Sequence, residues 1–219
     1  DSCGRGYSTQ SAIKNLWSHL DRFAMELDII SKCYSTLLTS DPIPETTRKI
    51  FTDEEVARLW ENYAMPWVDS ILFFLYTGFR ISEMIHLKIA DVNMEKQILR
   101  GGVKTEAGRN RVVPIHSKIQ NIVESHVASS NTEYLFEDKG NQLSIPRYRI
   151  LWRNIMRTLE MKHTPHECRH TFRSRLDSAG ANKVCIDRLM GHKSQGTGER
   201  VYTHKNIEEL RLNIELITN

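Results

Sequence analysis

Cysteine is scarce in this sequence. The four in 219 residues, Cys3, Cys33, Cys168 and Cys185, form no Cys-x-x-Cys pair. That spacing argues against a disulfide framework or a cysteine zinc site, and favours small buried hydrophobes in a reducing compartment. Long apolar runs are missing. The longest, ILFFLYTGF at 71–79, is too short to span a bilayer. No basic segment followed by an apolar one opens the chain, so neither a membrane span nor a secretory signal is expected. No G-x-x-x-x-G-K-[ST] loop occurs, which removes the common nucleoside-triphosphate cradle. Internal repeats and low-complexity tracts are absent. So is a strong charge of either sign. Thirty Lys+Arg stand against 27 Asp+Glu, a net charge of +3, which permits a polyanionic partner without demanding one.

Apolar spacing predicts a helix over 10–31, through Ile13, Leu16, Trp17, Leu20, Phe23 and Leu27. SDPIPETTRK (40–49) has two prolines and no periodicity, and reads as a linker spanning about 40–50. Residues 1–39 are too few to hold a core of their own. Beyond the linker, Thr52 and Glu55 form a capping box for a helix through Tyr63. Pro66 opens a second helix, which Gly78 closes, and a third begins at Arg80 and runs to Leu87. Strands are expected over 97–103 and 110–115, joined at TEAGRN, with one more at YLF (134–136) before the DKG turn. Ser117 and Gln120 are read as a helix cap. Further helices are expected from Pro146, Pro165 and Asn182, then a short one with Tyr202 and a last one from Asn206. The class is mainly α with a small antiparallel β-sheet (α+β).

HECRH (166–170) can be read two ways. As H-E-x-x-H on a helix, it puts His166 and His170 on one face, the pair a zinc peptidase uses. Against that, Thr164-Pro165 places His166 in the first helical turn, Arg169 would stand beside the dication, and no clear third ligand follows. His163, His170 and His204 read as packing or capping residues. As H-x-x-R, the same letters suggest chemistry on phosphate. They join Arg80 in TGFRISE, Lys104 in GGVKTEAG, His192 in LMGHK and Tyr202 in ERVYTH. Each has a plain explanation alone: Arg80 pairing with Glu83, Lys104 as a hairpin charge, Tyr202 as half-buried packing. The ordered set of six is what points to phosphate.

TGFRISEM, VKTEAGRNRVVPI, TPHECRHTF, AGANKVCIDRLMGH and VYTH together resemble the tyrosine recombinase (phage-type integrase) family. Their wording is most similar to integrases of bacterial conjugative transposons. The resemblance covers roughly residues 50–219 and implies the catalytic-domain architecture of that family over 51–219, with a C-terminal exchange helix at about 206–217. It makes 1–39 the end of a helical core-binding domain that clamps DNA. Arg80 and Arg169 would be the phosphate-clamping arginines, Lys104 the hairpin lysine, His166 and His192 the two histidines, Tyr202 the nucleophile and Glu83 the supporting acid. Two departures stand out. Cys168 replaces a common leucine, and the interval from His192 to Tyr202 is longer than usual, with Gly196 and Gly198 inside it.

The implied activity is site-specific cleavage and rejoining of DNA strands through a 3′-phosphotyrosine, integrating or excising a mobile element. The residue types suit it. Two forked guanidiniums stabilise charge on the non-bridging oxygens better than ammoniums would. A tyrosine becomes a nucleophile when nearby cations favour its phenolate. Lys104 is the candidate acid for the leaving 5′ oxygen, His166 can take or share the tyrosine proton, and His192 can bond the phosphate. No metal and no other cofactor is implied. The partners implied are double-stranded DNA at recombination sites, further copies of the chain (dimer to tetramer, through exchange of the C-terminal helix) and an accessory excision factor, with no membrane. The setting implied is the bacterial cytoplasm, at the nucleoid. Arg149, Arg153 and Arg157 recur at helical spacing within RYRILWRNIMR and are candidate DNA contacts, unless they are only a solvated basic face. Rival readings are a type IB topoisomerase, an HExxH zinc metallopeptidase and a non-catalytic DNA-binding module.

Overall fold

The computed structural model describes residues 4–43, 49–102, 111–192 and 206–218. The chain divides into two compact units, Asp1–Thr47 and Arg48–Asn219. No described helix is long and apolar enough to cross a membrane.

The first unit is helix α1 (Tyr7–Glu26) followed by a 3₁₀ turn at Tyr34–Leu37. The helix ends earlier than its apolar spacing predicts. Asp28 takes a left-handed conformation (φ 55°), and the Ile29 N–H bonds back to the Ala24 carbonyl (2.9 Å), a closure that stops the helix. The turn is fixed by the Asp21 carboxylate, which accepts the Ser35 N–H. Leu16, Trp17, Leu20, Phe23 and Leu27 are exposed.

The second unit is built on α3 (Val68–Thr77), in which every residue except Asp69 is buried. Burying Ile71, Leu72, Phe73, Phe74 and Leu75 contributes about 1.5–3 kcal/mol each. Around α3 stand α2 (Asp53–Glu61), the short α4 (Ile81–Met84), α5 (Gln120–Ser129), α6 (Ile145–Thr158), α7 (Pro165–Ser178), α8 (Lys183–Met190) and α9 (Ile207–Ile214). The expected capping box of α2 is present: Glu55 N–H to Thr52 Oγ1 at 3.2 Å, Thr52 N–H to the Glu55 carboxylate at 2.9 Å. α3 starts after Trp67, which is left-handed (φ 72°), so Pro66 lies outside it. The 3₁₀ turn before α5 is capped by His116, whose Nδ1 accepts the Lys118 N–H (3.1 Å), rather than by Ser117.

Strands β1 (Val92–Asn93), β2 (Ile98–Gly101) and β3 (Arg111–Pro114) form an antiparallel sheet in that order, with Val92 opposite Leu99 and Gly101 opposite Arg111. A second pair, β4 (Glu137–Asp138) and β5 (Asn141–Gln142), brackets the Lys139-Gly140 turn. Both turn residues have positive φ (55° and 78°), as a two-residue hairpin of the primed type requires. The expected strand at 134–136 lies one step early, because Leu135 and Phe136 are fully buried in the core instead.

The apolar side of α9 is buried on its own chain. Leu210, Ile214 and Ile217 are inside, α9 packs on β3 and α8, and polar contacts hold its end. Ser117 donates to Glu215 through N–H and Oγ (both 2.7 Å), and the His116 ring lies 2.9 Å from the Ile217 carbonyl.

The close of α3 is its most constrained point. Gly78 is left-handed (φ 64°), and a Cβ there would stand 2.5 Å from Phe172 Cδ1. The backbone cost and the clash together make Gly78→Ala destabilising by about 2–4 kcal/mol. A urea-unfolding midpoint unchanged by this substitution would contradict that.

Candidate active site

The site starts with the first turn of α7. Pro165 occupies N1, where no N–H is needed. The Glu167 carboxylate reaches back to the Thr164 N–H (2.9 Å) and also meets His163 Nδ1 (2.9 Å). His163 Nε2 in turn lies 3.0 Å from Glu55, and its ring stacks on Phe51 at 3.9 Å between centroids. The starts of α2 and α7 are thus tied through one imidazole, which fixes the rotation of α7. That rotation turns Arg169 inward, where it is 2% exposed.

Inside, Arg169 finds the ends of two helices. Its Nη1 donates to the Gly78 carbonyl and its Nη2 to the Met190 carbonyl. These carbonyls lie at the C-terminal ends of α3 and α8, each closed by a left-handed glycine, Gly78 and Gly191. Helix C-termini carry partial negative charge, so both ends favour a cation. Burial, then the charges of Arg80 and Arg111, pulls the Arg169 pKa down to about 9. It remains a cation at neutral pH, in a place that is short of an anion.

Glu83 is the carboxylate of this cluster, 1% exposed at its side chain. Its Oε1 accepts from Arg80 Nη1 (2.8 Å) and Arg111 Nη1 (2.7 Å), and its Oε2 from the Arg80 N–H (2.8 Å) and Arg111 Nη2 (3.0 Å). Arg169 Nη1 stands 4.0 Å from Oε2. Burial opposes ionisation of Glu83. The bonds and charge of Arg111, the Arg80 N–H and the charge of Arg169 outweigh it and hold the carboxyl below the usual carboxylate range.

His192 follows the end of α8. Its Nε2 is 3.2 Å from Arg169 Nη2 and its Nδ1 3.3 Å from Arg173 Nη1. Guanidiniums only donate, and a neutral imidazole has one in-plane lone pair, so the ring accepts from one arginine at a time. Burial, then Arg169 and Arg173, lowers its pKa below the usual histidine value and keeps it neutral at pH 7.

His166 is exposed on α7, edge-on to His170 with 4.6 Å between ring centroids. No three His, Cys, Asp or Glu side chains form a metal-sized group among the described residues. A cavity of about 650 Å³ lies beside His166, lined by Ile81, Trp152, His163, Arg149 and Arg153. Tyr148, Trp152, Ile155 and Met156 bury the inner face of α6, which leaves Arg149, Arg153 and Arg157 exposed on its outer face.

The structure therefore brings Arg80, Glu83, Arg169 and His192 together. Lys104 and Tyr202, with the short helix expected around Tyr202, lie outside the described residues. Sequence reasoning missed two cations. Arg173 could have been found, because it lies one turn beyond Arg169. Arg111 gave only a faint signal, since a strand beginning with arginine reads as a surface edge.

The sequence pattern of the phage integrase family matches residues 49–209. The chain is 32% identical over 191 residues to the tyrosine recombinase XerA of Pyrococcus furiosus, covering 81% of this chain and 65% of that protein. The chain thus spans less than two thirds of that relative's length. Among solved structures, the Tn1549 transposon integrase in complex with circular intermediate DNA superposes with a TM-score of 0.74 at 21% identity, over 97% of this chain and 80% of that one. A lambda integrase tetramer bound to a Holliday junction gives 0.68 at 15% identity, over 85% of this chain and 59% of that one. At these identities the two structures establish the fold.

The lowered pKa of His192 makes stability depend on pH. In the unfolded chain a histidine takes up a proton near pH 6.5, whereas folded His192 resists it. Stability is therefore unaffected by this group above about pH 6.5 and falls as the pH drops below it towards the lowered folded value. Buried His116 acts in the same direction. His192→Gln should shrink the loss of urea midpoint between about pH 7.5 and 5.5, and an undiminished loss would show that His192 titrates alike in both states.

Proposed function

Because the chain belongs to the phage integrase family, we propose that it carries the catalytic part of a site-specific DNA recombinase. The observation that carries this reading is the convergence of Arg80, Arg169 and neutral His192 around an anion-seeking point. In the proposed reaction the Tyr202 hydroxyl oxygen attacks a backbone phosphorus. The new P–O bond joins the 3′ phosphate to tyrosine, and the bond to the 5′ oxygen breaks. The tyrosine proton passes to His166, and Lys104 supplies a proton to the leaving oxygen. A second strand's 5′ hydroxyl then reverses these steps. Bond energy is retained in the phosphotyrosine, so no nucleotide is consumed.

Arg80 and Arg169 stabilise the non-bridging oxygens. Their rigidity supports that role, because donors already held in place need no reorganisation during the step. For His192 to donate to the phosphate through Nε2, the proton must sit on that nitrogen, and its contact with Arg169 must open.

Double-stranded DNA is the proposed substrate. The related integrases whose structures contain DNA support it, as do the exposed arginines of α6 beside the His166 cavity. In this reading 1–39 ends a core-binding domain, 40–50 is a linker and 51–219 is catalytic. The lambda integrase tetramer supports assembly into dimers and tetramers. Exchange would require α9 to leave its own chain for a neighbour.

The test is a denaturing gel of the protein with nicked candidate-site DNA. A covalent adduct should form with or without a chelator and vanish in Tyr202→Phe while DNA binding persists. Arg169→Ala should slow cleavage by roughly 10²–10³ or more. Glu167→Gln should lower stability, since that carboxylate ties α7 to His163, yet leave cleavage measurable. No adduct on any nicked site, or an adduct that survives in Tyr202→Phe, would overturn the proposal.

Arg149→Ala with Arg153→Ala should weaken DNA binding and flatten its salt dependence, by about 0.9 in log–log slope for each phosphate no longer neutralised. An unchanged slope would remove α6 from the interface.

A further inference from the structure

Arg111 lies within the VKTEAGRNRVVPI segment but was given no role in the site, yet it is among the most buried charges of the described residues, with 3% of its side chain exposed. It begins β3, opposite Gly101 on β2. Gly101 has no side chain for a reason visible here: a Cβ would meet Phe79 Cζ at 2.8 Å. Phe79 fills that space, and the Arg111 guanidinium lies over its ring at 4.6 Å. The ring supports one face of the fork while both Nη atoms point at Glu83. The Nε has no hydrogen-bond partner among the described residues, so the side chain is placed by its grip on Glu83 and by the ring beneath it.

A carboxylate offers about four lone-pair sites. At Glu83, Arg80 occupies two and Arg111 the other two. The carboxylate is saturated, and Arg169 stands off at 4.0 Å without a bond to it. Without Arg111, half of Glu83 would be unsatisfied in a nearly dry place. The nearest donors to fill it are the guanidiniums of Arg80 and Arg169. Each bond they gave to Glu83 would be one fewer for a phosphate.

We propose that Arg111 is a positioning residue: by saturating Glu83 it prevents that carboxylate from capturing Arg169 and the remaining donors of Arg80, and so keeps both arginines available to an oxyanion. Arg111 does not touch the oxyanion itself. It also adds a third guanidinium around one carboxylate, so the cluster retains positive charge for its ligand. The inference deepens the recombinase reading and, for its role in strand cleavage, rests on it. The anion site can nonetheless be probed without DNA.

The experiment is calorimetric titration of inorganic sulfate into the full chain at constant ionic strength, reading the heat that Arg169→Met removes. Arg111→Met should weaken sulfate binding roughly tenfold or more, the order of one charge-assisted hydrogen bond. Adding Glu83→Gln to Arg111→Met should restore most of it, because a neutral amide no longer draws the arginines away. Arg111→Lys should fall between, since an ammonium cannot grip both oxygens. Far-UV circular dichroism and urea midpoints establish folding for each. If Arg111→Met does not fold, Arg111→Lys with and without Glu83→Gln gives the same comparison. Wild-type sulfate affinity in a folded Arg111 variant, or a double variant as weak as the single, would overturn the proposal. Sulfate affinities in the expected order with no Tyr202 adduct on DNA would overturn only the recombinase reading.

Discussion

In the second unit the ends of α3 and α8, the first turn of α4 and helix α7 meet at one buried guanidinium. Among the described residues Arg169 has no carboxylate to itself; the backbone ends of α3 and α8 hold it, with Glu83, shared with two other arginines, 4.0 Å away. That requires two helices to stop at set places, and a left-handed glycine stops each. It also requires α7 to present Arg169 at one rotation, which the tie between Glu167, His163 and Glu55 supplies. Among the described residues the interface of α3 with α7 is the most extensive between helices, so core packing and the charge site are set by the same contact.

Charge balance explains why so buried a group is tolerated. At an effective dielectric constant of 20, two unit charges 4 Å apart interact by about 4 kcal/mol. Glu83 attracts three arginines while those arginines repel one another, so the terms are comparable and the cluster is left cationic. The strain is visible in the lowered pKa values of Arg169 and Arg111. A doubly charged oxyanion would relieve it. The site is therefore less stable than a neutral core would be, in return for donors that are fixed in advance.

Much of this could be read from the sequence. Residue types in order singled out Arg80, Arg169 and His192, the family resemblance added Glu83, and the structure brings these four together, while helix caps at Thr52, Thr164, Asn182 and Asn206 stand where local chemistry put them. What escaped depends on distant contacts. Arg111 points inward because Phe79 supports it and Glu83 receives it, and neither fact is local. His116 displaced Ser117 as a cap because its ring is buried against the C-terminal segment. Leu135 and Phe136 were drawn into the core, which moved the expected strand one step on. Helix α1 ended at a backbone closure that apolar spacing does not encode.

The site's bonds also bear on how the chain folds. Arg169 reaches Gly78 across 91 residues, His163 reaches Glu55 across 108, and Ser117 reaches Glu215 across 98. Contacts of such sequence separation incur loop-closure entropy before they return anything, so they form late. Bringing guanidiniums together before the helix ends and Glu83 are in place would only add repulsion. A partly folded chain therefore holds its arginines apart and has no cradle for a phosphate. On the proposed reading, such a chain could not stabilise a pentavalent phosphate, which would guard a nuclease-like chemistry against acting before the protein that must reseal the strand is complete.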